Sequence, residues 1–290
     1  MYVKNWFYKS ADLKIKPNAM IIKETKQRRD EYMSEVFFEL YKEEIAQFKP
    51  KGKAALLYCA GSAEHHSCAR IFPRDIQKAN IVVKSHTSYI ASKVAKRVGN
   101  IEYLSINANA CASSMYALHE AKMLLDWGGF DEVIIYGEEW VEDVELLLFE
   151  QLNIEIVCSD GFFMLHLTND PKGHKGHIKS PTWIYSDSKS AFEVTKEGYM
   201  SAMSPFVGHK IDAVKMHGTS TKQNNDAEHS AVKELFGQIE TIGYKEQIGH
   251  SQGCSTGVEI CMLLEQFKDK KIVVNASGLG NFYGSCLLAL

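Results

Sequence analysis

The chain has 290 residues, which is long for one ordinary domain and predicts one large domain or two similar halves. Its net charge of -3 gives no reason to expect nucleic acid as a partner, because proteins that bind nucleic acids are usually basic. No apolar run is long enough to cross a membrane, and the N-terminus lacks the basic and apolar segments of a signal peptide. We therefore expect a soluble, cytoplasmic protein with no membrane partner.

The first part of the chain alternates apolar runs with amphipathic ones. Strands are predicted at 2–8, 54–60, 101–106, 133–136 and 161–167, and the strand at 101–106 is expected to be buried. Helices are predicted at 23–48, 63–71, 86–98 and 142–152, with a further helix after Cys111 that ends at the glycine pair 128–129. This alternation is typical of an α/β protein.

Segment 168–180 is the clearest cluster of turn-forming residues and gives the best internal boundary. The order of elements then repeats loosely. Strands are predicted at 183–185, 211–216, 272–274 and 282–290, and helices at 197–207, 226–236 and 252–267. We therefore divide the chain into segments 1–170 and 171–290.

Cys111 lies where a predicted strand turns into a helix. Unpaired N–H groups and the helix dipole favour negative charge at a helix N-terminus, so this position is expected to lower the pKa of the thiol. Its small neighbours at 110 and 112–114 leave room for a substrate to reach the sulfur. The pattern favours a nucleophile, and the alternative is a buried structural cysteine.

The seven cysteines are scattered along the chain, which favours free thiols over a disulfide framework. The His65-His66-Ser67-Cys68 segment contains metal-ligand residue types, but no partners follow at the spacings that a metal site needs. We expect a polar helix end there and no bound metal.

Two histidines stand at glycine-rich ends of elements. His217 follows a predicted strand in the segment 216–221 (MHGTST), and His250 precedes a helix in a segment that begins with Lys245. Together with the segment 107–111 (NANAC), these motifs resemble those of the β-ketoacyl synthases of the elongating type, within the thiolase-like superfamily. The resemblance covers most of the chain and is strongest from residue 85 to the C-terminus.

This resemblance implies a thiolase-like fold: two similar βαβαβαββ halves in a five-layered α/β/α/β/α arrangement. Segment 1–170 would be the half that carries the nucleophile, and segment 171–290 the half that carries the two histidines. The family pattern also implies a dimer, with the strand before Cys111 near the two-fold axis.

The resemblance also implies a role for each matching residue. Cys111 matches the acyl-accepting nucleophile and completes a Cys-His-His triad with His217 and His250. The other matching residues are Lys245 beside His250, Glu228 as the carboxylate that pairs with that lysine, Thr219 and Thr221 as contacts of the phosphopantetheine arm, and the loop Gly278, Leu279 and Gly280. The backbone N–H groups of Cys111 and Leu279 would form the oxyanion hole.

The implied function is decarboxylative Claisen condensation of a cysteine-bound acyl group with a malonyl-acyl carrier protein, in fatty acid or polyketide biosynthesis. A thiolate exchanges with a thioester at little thermodynamic cost, and two imidazole N–H groups suit an enolate oxygen. The implied partners are an acyl carrier protein and a second synthase-like chain, in a homodimer or a heterodimer. No cofactor or metal is implied beyond the carrier's own phosphopantetheine. Acyl length and the pathway are left open.

The sequence departs from the family pattern in three ways. The chain is shorter than the usual elongating enzymes, both before Cys111 and between Cys111 and His217. Leu279 stands where the family has a gating phenylalanine, and segment 160–165 (DGFFML) keeps only the start of a glycine-rich motif. These departures predict altered gating and acyl selection, and a pocket that a partner subunit completes.

Other interpretations fit the sequence less well. A non-catalytic subunit like a chain-length factor is the main rival, but such subunits commonly lack the nucleophile. The pattern G-x-S-x-G at 253–257 suits a hydrolase only with a preceding strand and a later histidine, and neither is predicted. A thiolase would need a second cysteine near Ser277, and the nearest is Cys286 in the next strand. Gly278 and Gly280 lack the helix and acidic residue of a dinucleotide site.

Overall fold

The computed structural model describes residues 1–61, 83–84, 86–187, 190 and 192–290. The predicted helix at 63–71 and the candidate metal segment 65–68 lie outside the described residues. All other predicted elements fall wholly or largely within them.

The strands, in chain order, are β1 Tyr2–Ser10, β2 Leu13–Lys16, β3 Ala19–Ile21, β4 Ala54–Cys59, β5 Ile101–Asn107, β6 Glu132–Glu139, β7 Cys158–Ser159, β8 Gly161–Thr168, β9 Gly176–Lys179, β10 Ile184–Tyr185, β11 Ala213–Lys215, β12 Glu240–Ile242, β13 Lys271–Gly278 and β14 Phe282–Ala289. The α-helices are α1 Met33–Leu40, α2 Lys42–Ile45, α3 Thr87–Val98, α4 Ser113–Trp127, α5 Asp143–Gln151, α6 Lys196–Met203, α7 Lys222–Phe236, α8 Lys245–Ile248 and α9 Ser255–Gln266.

The main sheet has the strand order β12-β11-β13-β14-β9-β1-β8-β6-β4-β5, and β10 pairs with β14. Read inward from either end, the sheet has three parallel strands followed by two antiparallel ones. The two series meet where β1 pairs with β9 over two residue pairs. This repeated order agrees with the α/β prediction, while the division at residue 170 stays a prediction.

Side chains that alternate along the central strands enter different cores, as strand geometry requires. In β4, Leu57 belongs to a central core that also contains residues of α4 and α9, whereas Tyr58 faces α1 and α3. In β13, Val274 joins the central core and Val273 faces α6 and α7. Helices therefore lie between the two series of strands and outside each of them, which gives five layers.

The predicted long helix at 23–48 is wrong. The chain forms a 3-10 turn at Lys23–Arg28, then α1 and α2 separated at Tyr41. The carboxylate of Asp160 accepts hydrogen bonds from the backbone N–H of Ile22, at 3.0 Å, and from the hydroxyl of Thr25, at 3.1 Å. These contacts hold the start of the segment against β8, so tertiary bonding overrides the helical periodicity.

The expectation that the strand before Cys111 is buried is also wrong. β5 is the edge strand of the main sheet, and Tyr103, Leu104 and Ile106 are 40%, 36% and 37% exposed. An apolar run therefore marks an uncovered edge here rather than a strand covered on both faces. Within the described ranges, no helix is long and apolar enough to span a membrane.

Candidate active site

Cys111 lies in a single 3-10 turn, Ala110–Ala112, between the end of β5 and the start of α4. Ala110 has a φ of 47°, a left-handed conformation that is unfavourable for a residue with a side chain. The hydroxyl of Ser113 holds this turn, because it accepts a bond from the N–H of Asn109 at 2.8 Å and donates to the carbonyl of Ala110 at 2.7 Å. The chain thus maintains a strained turn at the nucleophile position.

The loop that joins β13 to β14 packs directly on this turn. A Cβ atom on Gly278 would lie 2.8 Å from the carbonyl oxygen of Asn109 and 3.0 Å from the nitrogen of Ala112. Only glycine permits such a close approach of two backbones. Gly280, at the other end of the loop, has a φ of 93°, which also favours glycine. The predicted loop residues therefore stand beside Cys111.

Glu228 and Lys245 hold His217 in place from two sides. The carboxylate of Glu228 accepts bonds from the backbone N–H groups of His217, at 2.6 Å, and Gly218, at 3.0 Å. The ammonium of Lys245 donates to the carbonyl oxygen of His217. The predicted Lys245–Glu228 pair is wrong, because the buried carboxylate of Glu259 lies 2.7 Å from Lys245 Nζ and Glu228 is occupied with backbone N–H groups.

The hydrogen bonds of His250 define its neutral tautomer. Its Nδ1 accepts a bond from the backbone N–H of Gln252 at 2.9 Å, so in the neutral ring the proton is on Nε2. Nε2 has no hydrogen-bond partner among the residues described. The imidazole rings of His250 and His217 are perpendicular, with centroids 5.6 Å apart. His250 therefore keeps one N–H free for a ligand.

Both imidazoles are neutral at physiological pH. Burial lowers the pKa of His217 and of His250 well below 6.5, and the positive charge of Lys245 lowers both further. A neutral imidazole carries one N–H that can donate a hydrogen bond, and in His250 this N–H is the free one.

The expected lowering of the Cys111 pKa is wrong. Burial raises the pKa of the thiol to about 12, and the nearby charge of Lys245 only partly opposes this effect. The carboxyl groups of Glu145 and Glu139 raise the pKa further. Cys111 also precedes α4 by two residues, so removal of the thiolate from water outweighs the helix dipole. The free site holds a thiol.

One cavity of about 650 Å³ brings most of the predicted site residues together. Its lining includes Cys111, His217, Thr219, Thr221, His250, Gly278 and Leu279. The hydroxyls of Thr219 and Thr221 lie 3.0 Å apart. Glu228, Lys245 and Gly280 are not among the residues that line the cavity.

Comparison with protein families and solved structures identifies the fold. Residues 180–278 match the family model "Beta-ketoacyl synthase, C-terminal domain". A chain of the solved structure "type II PKS acyl-carrier protein in complex with its ketosynthase bound to the hexaketide" matches with a TM-score of 0.77 and 15% identity, over 93% of this chain and 86% of that chain. No curated protein sequence matches.

The chain has the ketosynthase fold. Two further structures agree. A beta-ketoacyl synthase from Burkholderia phymatum STM815 matches with a TM-score of 0.71 and 17% identity, over 92% of this chain and 84% of that chain. The ishigamide ketosynthase/chain length factor matches with a TM-score of 0.74 and 13% identity, over 83% of this chain and 76% of that chain. The resemblance found in the sequence and the predicted fold class are thus confirmed. The residue roles implied by that resemblance stay predictions.

This ketosynthase fold contains a buried charge network that the sequence analysis missed. Glu259 bridges the ammonium groups of Lys215 and Lys245, and all three side chains are buried. The sequence did contain a signal for this network, because each of two apolar segments carries one charged residue. Lys215 is the charged residue of β11, and Glu259 is the charged residue in the buried part of α9. Of the described residues, no group of three or more His, Cys, Asp or Glu side chains is arranged to hold a metal ion.

The rejected hydrolase motif has a structural role within the ketosynthase fold. Ser255 begins α9 after a 3-10 turn rather than after a strand, and it is buried. Cβ atoms on Gly253 and Gly257 would collide with the backbone at Ala60 and with the ring of Phe163. These glycines therefore let α9 pack closely beneath the site.

Proposed function

We propose that this chain is a cytoplasmic β-ketoacyl synthase that condenses a Cys111-bound acyl group with a malonyl group on an acyl carrier protein. The observation that supports this function is that Cys111, His217 and His250 line the same cavity. The site combines one thiol with two neutral imidazoles, and this composition suits acyl transfer followed by carbanion chemistry.

In the first step, Cys111 takes the acyl group from a thioester. Because the pKa of Cys111 is raised, an imidazole in the cavity accepts the thiol proton as sulfur attacks the carbonyl carbon. The N–H groups of Cys111 and Leu279 stabilise the oxyanion, and each such donor typically contributes about 3 to 4 kcal/mol. The old carbon–sulfur bond breaks, the carrier thiol takes up the proton, and Cys111 holds the new thioester.

In the second step, a malonyl thioester loses carbon dioxide and leaves an enolate. The free Nε2–H of His250 donates to the enolate oxygen, and His217 supports the same oxygen from its perpendicular ring. The carbanion attacks the acyl carbon, a carbon–carbon bond forms, and the Cys111 sulfur leaves as thiolate and takes up a proton from water. Glu228 and Lys245 act as positioning residues in this scheme.

The proposed substrates arrive on the phosphopantetheine arm of an acyl carrier protein, so the reaction requires no other cofactor. Thr219 and Thr221 stand on the cavity wall, where their hydroxyls can bond the amides of that arm. The structure of a type II PKS acyl-carrier protein in complex with its ketosynthase supports this choice of partner.

The chain is also proposed to pair with a second ketosynthase-like subunit through β5. An open strand edge with exposed Tyr103, Leu104 and Ile106 is a ready surface for strand pairing. A partner chain there would cover these side chains and lie close to the Cys111 turn. Both a homodimer and a heterodimer fit this surface.

The alternative is a non-catalytic subunit that resembles a chain-length factor. The raised pKa of Cys111 favours this alternative, because a protonated thiol is a poor nucleophile. The fold is also similar to that of the ishigamide ketosynthase/chain length factor, whose name includes such a subunit. The presence of both histidines and Lys245 favours the enzyme.

Covalent labelling distinguishes the two functions. The protein is incubated with an acyl carrier or with cerulenin, and mass spectrometry locates the adduct. We expect an adduct on Cys111 that is absent from Cys111→Ala and present in Cys158→Ala, because Cys158 lines the same cavity and serves as the control. No adduct on Cys111, under conditions that label a control synthase, supports the non-catalytic subunit.

A further inference from the structure

Asn224 is a buried polar residue of the cavity to which the proposed reaction gives no role. It lies in the first turn of α7, is only 2% exposed, and lines the cavity together with Ser277 and His217.

The surrounding hydrogen bonds fix the orientation of the Asn224 amide. The hydroxyl of Tyr199 donates to Oδ1 of Asn224 at 2.7 Å and lies 2.8 Å from the hydroxyl of Ser277. Ser277 Oγ also lies 3.4 Å from the same Oδ1. The amide oxygen is therefore the acceptor of this cluster. The amide nitrogen, Nδ2, has no hydrogen-bond partner within the described ranges.

Tyr199 is a rigid support for this orientation. It is fully buried, and its ring packs edge-on against Tyr283 with centroids 5.2 Å apart. Burial raises the pKa of Tyr199 well above its usual value, so the phenol keeps its proton. Because that proton is donated to the amide oxygen, Oδ1 of Asn224 faces the Tyr199 hydroxyl and Nδ2 makes no bond with it.

A buried N–H group without a partner is unfavourable, and native proteins leave few of them. Here Asn224 is part of the cavity wall together with Thr219 and Thr221. Thr221 directly precedes α7, but its hydroxyl contacts Thr219 and does not cap the helix. This wall therefore offers a spare donor where a carrier-linked substrate is proposed to pass.

We propose that Asn224 is a substrate-binding residue whose amide N–H donates to an acceptor oxygen of the carrier-linked substrate. The shared chemistry is a carbonyl or carboxylate oxygen, which belongs either to the pantetheine arm or to the malonyl group. This inference rests on the proposed function, because that reaction brings a malonyl thioester into the cavity.

Binding to two unreactive probes tests the proposal. The probes are malonyl-pantetheine and acetyl-pantetheine analogues in which an amide replaces the thioester, and titration calorimetry gives their dissociation constants. We expect Asn224→Ala to weaken binding about 3- to 10-fold for a neutral acceptor, or about 10- to 100-fold for a carboxylate. A loss with both probes assigns the contact to the pantetheine arm, and a loss with the malonyl probe alone assigns it to the carboxylate.

Three variants keep the test decisive. Asn225→Ala is the matched control, since Asn225 is the next residue but does not line the cavity. The near-isosteric Asn224→Asp removes the N–H donor with little change in shape. Tyr199→Phe removes the hydrogen bond to the amide oxygen and leaves Asn224 itself unchanged. Thermal unfolding shows which variants are folded, and the folded ones among them carry the test.

The proposal is overturned if the wild type binds neither probe, or if the folded Asn224 variants bind both probes as tightly as the wild type. It is also overturned if Asn225→Ala causes an equal loss. Failure of the proposed function is recorded separately, by the absence of an acyl adduct on Cys111.

Discussion

Lys245 forms its buried ion pair with Glu259, at 2.7 Å between Nζ and Oε1, and the other carboxylate oxygen of Glu259 is bound by Lys215. One carboxylate thus forms ion pairs with two buried ammonium groups, one of which also binds the carbonyl oxygen of His217. The site depends on this carboxylate for the charge balance of its supporting layer.

Replacement of Glu259 by leucine is expected to destabilise the protein by about 3 to 5 kcal/mol, because it leaves two buried ammonium groups without their ion-pair partner. Chemical denaturation measures the loss. The control is Glu246→Gln, at an exposed carboxylate next to Lys245, which should change stability by less than about 0.5 kcal/mol. Equal stability of Glu259→Leu and wild type would show that the pair carries no net charge compensation.

The outline of this layer could be predicted from the sequence, but its pairing could not. Lys245 and Glu228 were recognised through motif spacing. Their connection was wrong because spacing does not show which carboxylate faces a lysine across two helices. Glu259 comes from α9 and Lys215 from β11, and only the packed fold brings them together. The positions of β1, β4, β6, β8, β13 and β14 along the chain agree with the strands predicted from apolar periodicity.

Two failures of prediction share one cause. The periodicity of segment 23–48 indicated a helix, and the dipole at Cys111 indicated a lowered pKa. In each case the tertiary structure outweighed the local pattern: hydrogen bonds to Asp160 did so in the first case, and burial of the sulfur in the second. A local sequence pattern does not show which distant residues will bond to a segment or bury it.

Lys215→Met is expected to shift the pH dependence of malonyl decarboxylation. The charge of Lys215 lowers the pKa of both His217 and His250, so its removal raises their pKa values. The fall in rate on the acid side should then begin at a higher pH than in the wild type. Glu259 keeps one partner, Lys245, so the fold should persist.

The control for this shift is Lys222→Met, which removes an exposed lysine from the rim of the same cavity. Water screens that charge, and the acid limb should stay where it is in the wild type. If the rate of Lys215→Met fell at the same acidic pH as that of the wild type, Lys215 would have a purely structural role.

Glu145→Gln is expected to stabilise the protein at alkaline pH. Burial raises the pKa of Glu145 from an ordinary 4.5 to about 8, so the folded state holds a proton that the unfolded state has lost between these values. The stability of the wild type therefore falls as pH rises from about 4.5 to about 8, by up to about 1.4 kcal/mol for each pH unit. Glutamine cannot ionise and avoids this loss.

Thermal unfolding of wild type and Glu145→Gln from pH 5 to pH 9 measures the difference. The advantage of the variant should be largest at pH 9 and should shrink towards pH 5. Glu155→Gln, at another carboxylate of the cavity lining, is the control for a general effect of charge removal. Parallel curves for wild type and Glu145→Gln would contradict the raised pKa.

Gly278→Ala is expected to slow acylation of Cys111 by about 10-fold or more, with a smaller effect on stability. The new Cβ would press on the backbone of Asn109 and Ala112, and backbone atoms cannot rotate away as a side chain can. The turn that carries Cys111 would shift relative to the Leu279 N–H, and oxyanion donors are sensitive to such displacement. Gly243→Ala is the control, because a Cβ there meets no atom within 4 Å. Normal acylation of Gly278→Ala would remove this loop from the oxyanion hole.

His217→Ala is expected to separate the two steps of the proposed reaction. Acyl transfer needs the thiol and the oxyanion N–H groups, and water that fills the space of the lost ring can carry the thiol proton to the departing carrier sulfur. Decarboxylation needs both imidazoles around one enolate oxygen, so its rate should fall by about 100-fold or more. Release of carbon dioxide from a malonyl carrier and the mass of acylated Cys111 measure the steps independently, with His229→Ala, an exposed histidine of α7, as the control. Equal loss of both steps would assign His217 to the activation of Cys111 instead, and the perpendicular rings of His217 and His250 would then divide the work between sulfur and enolate.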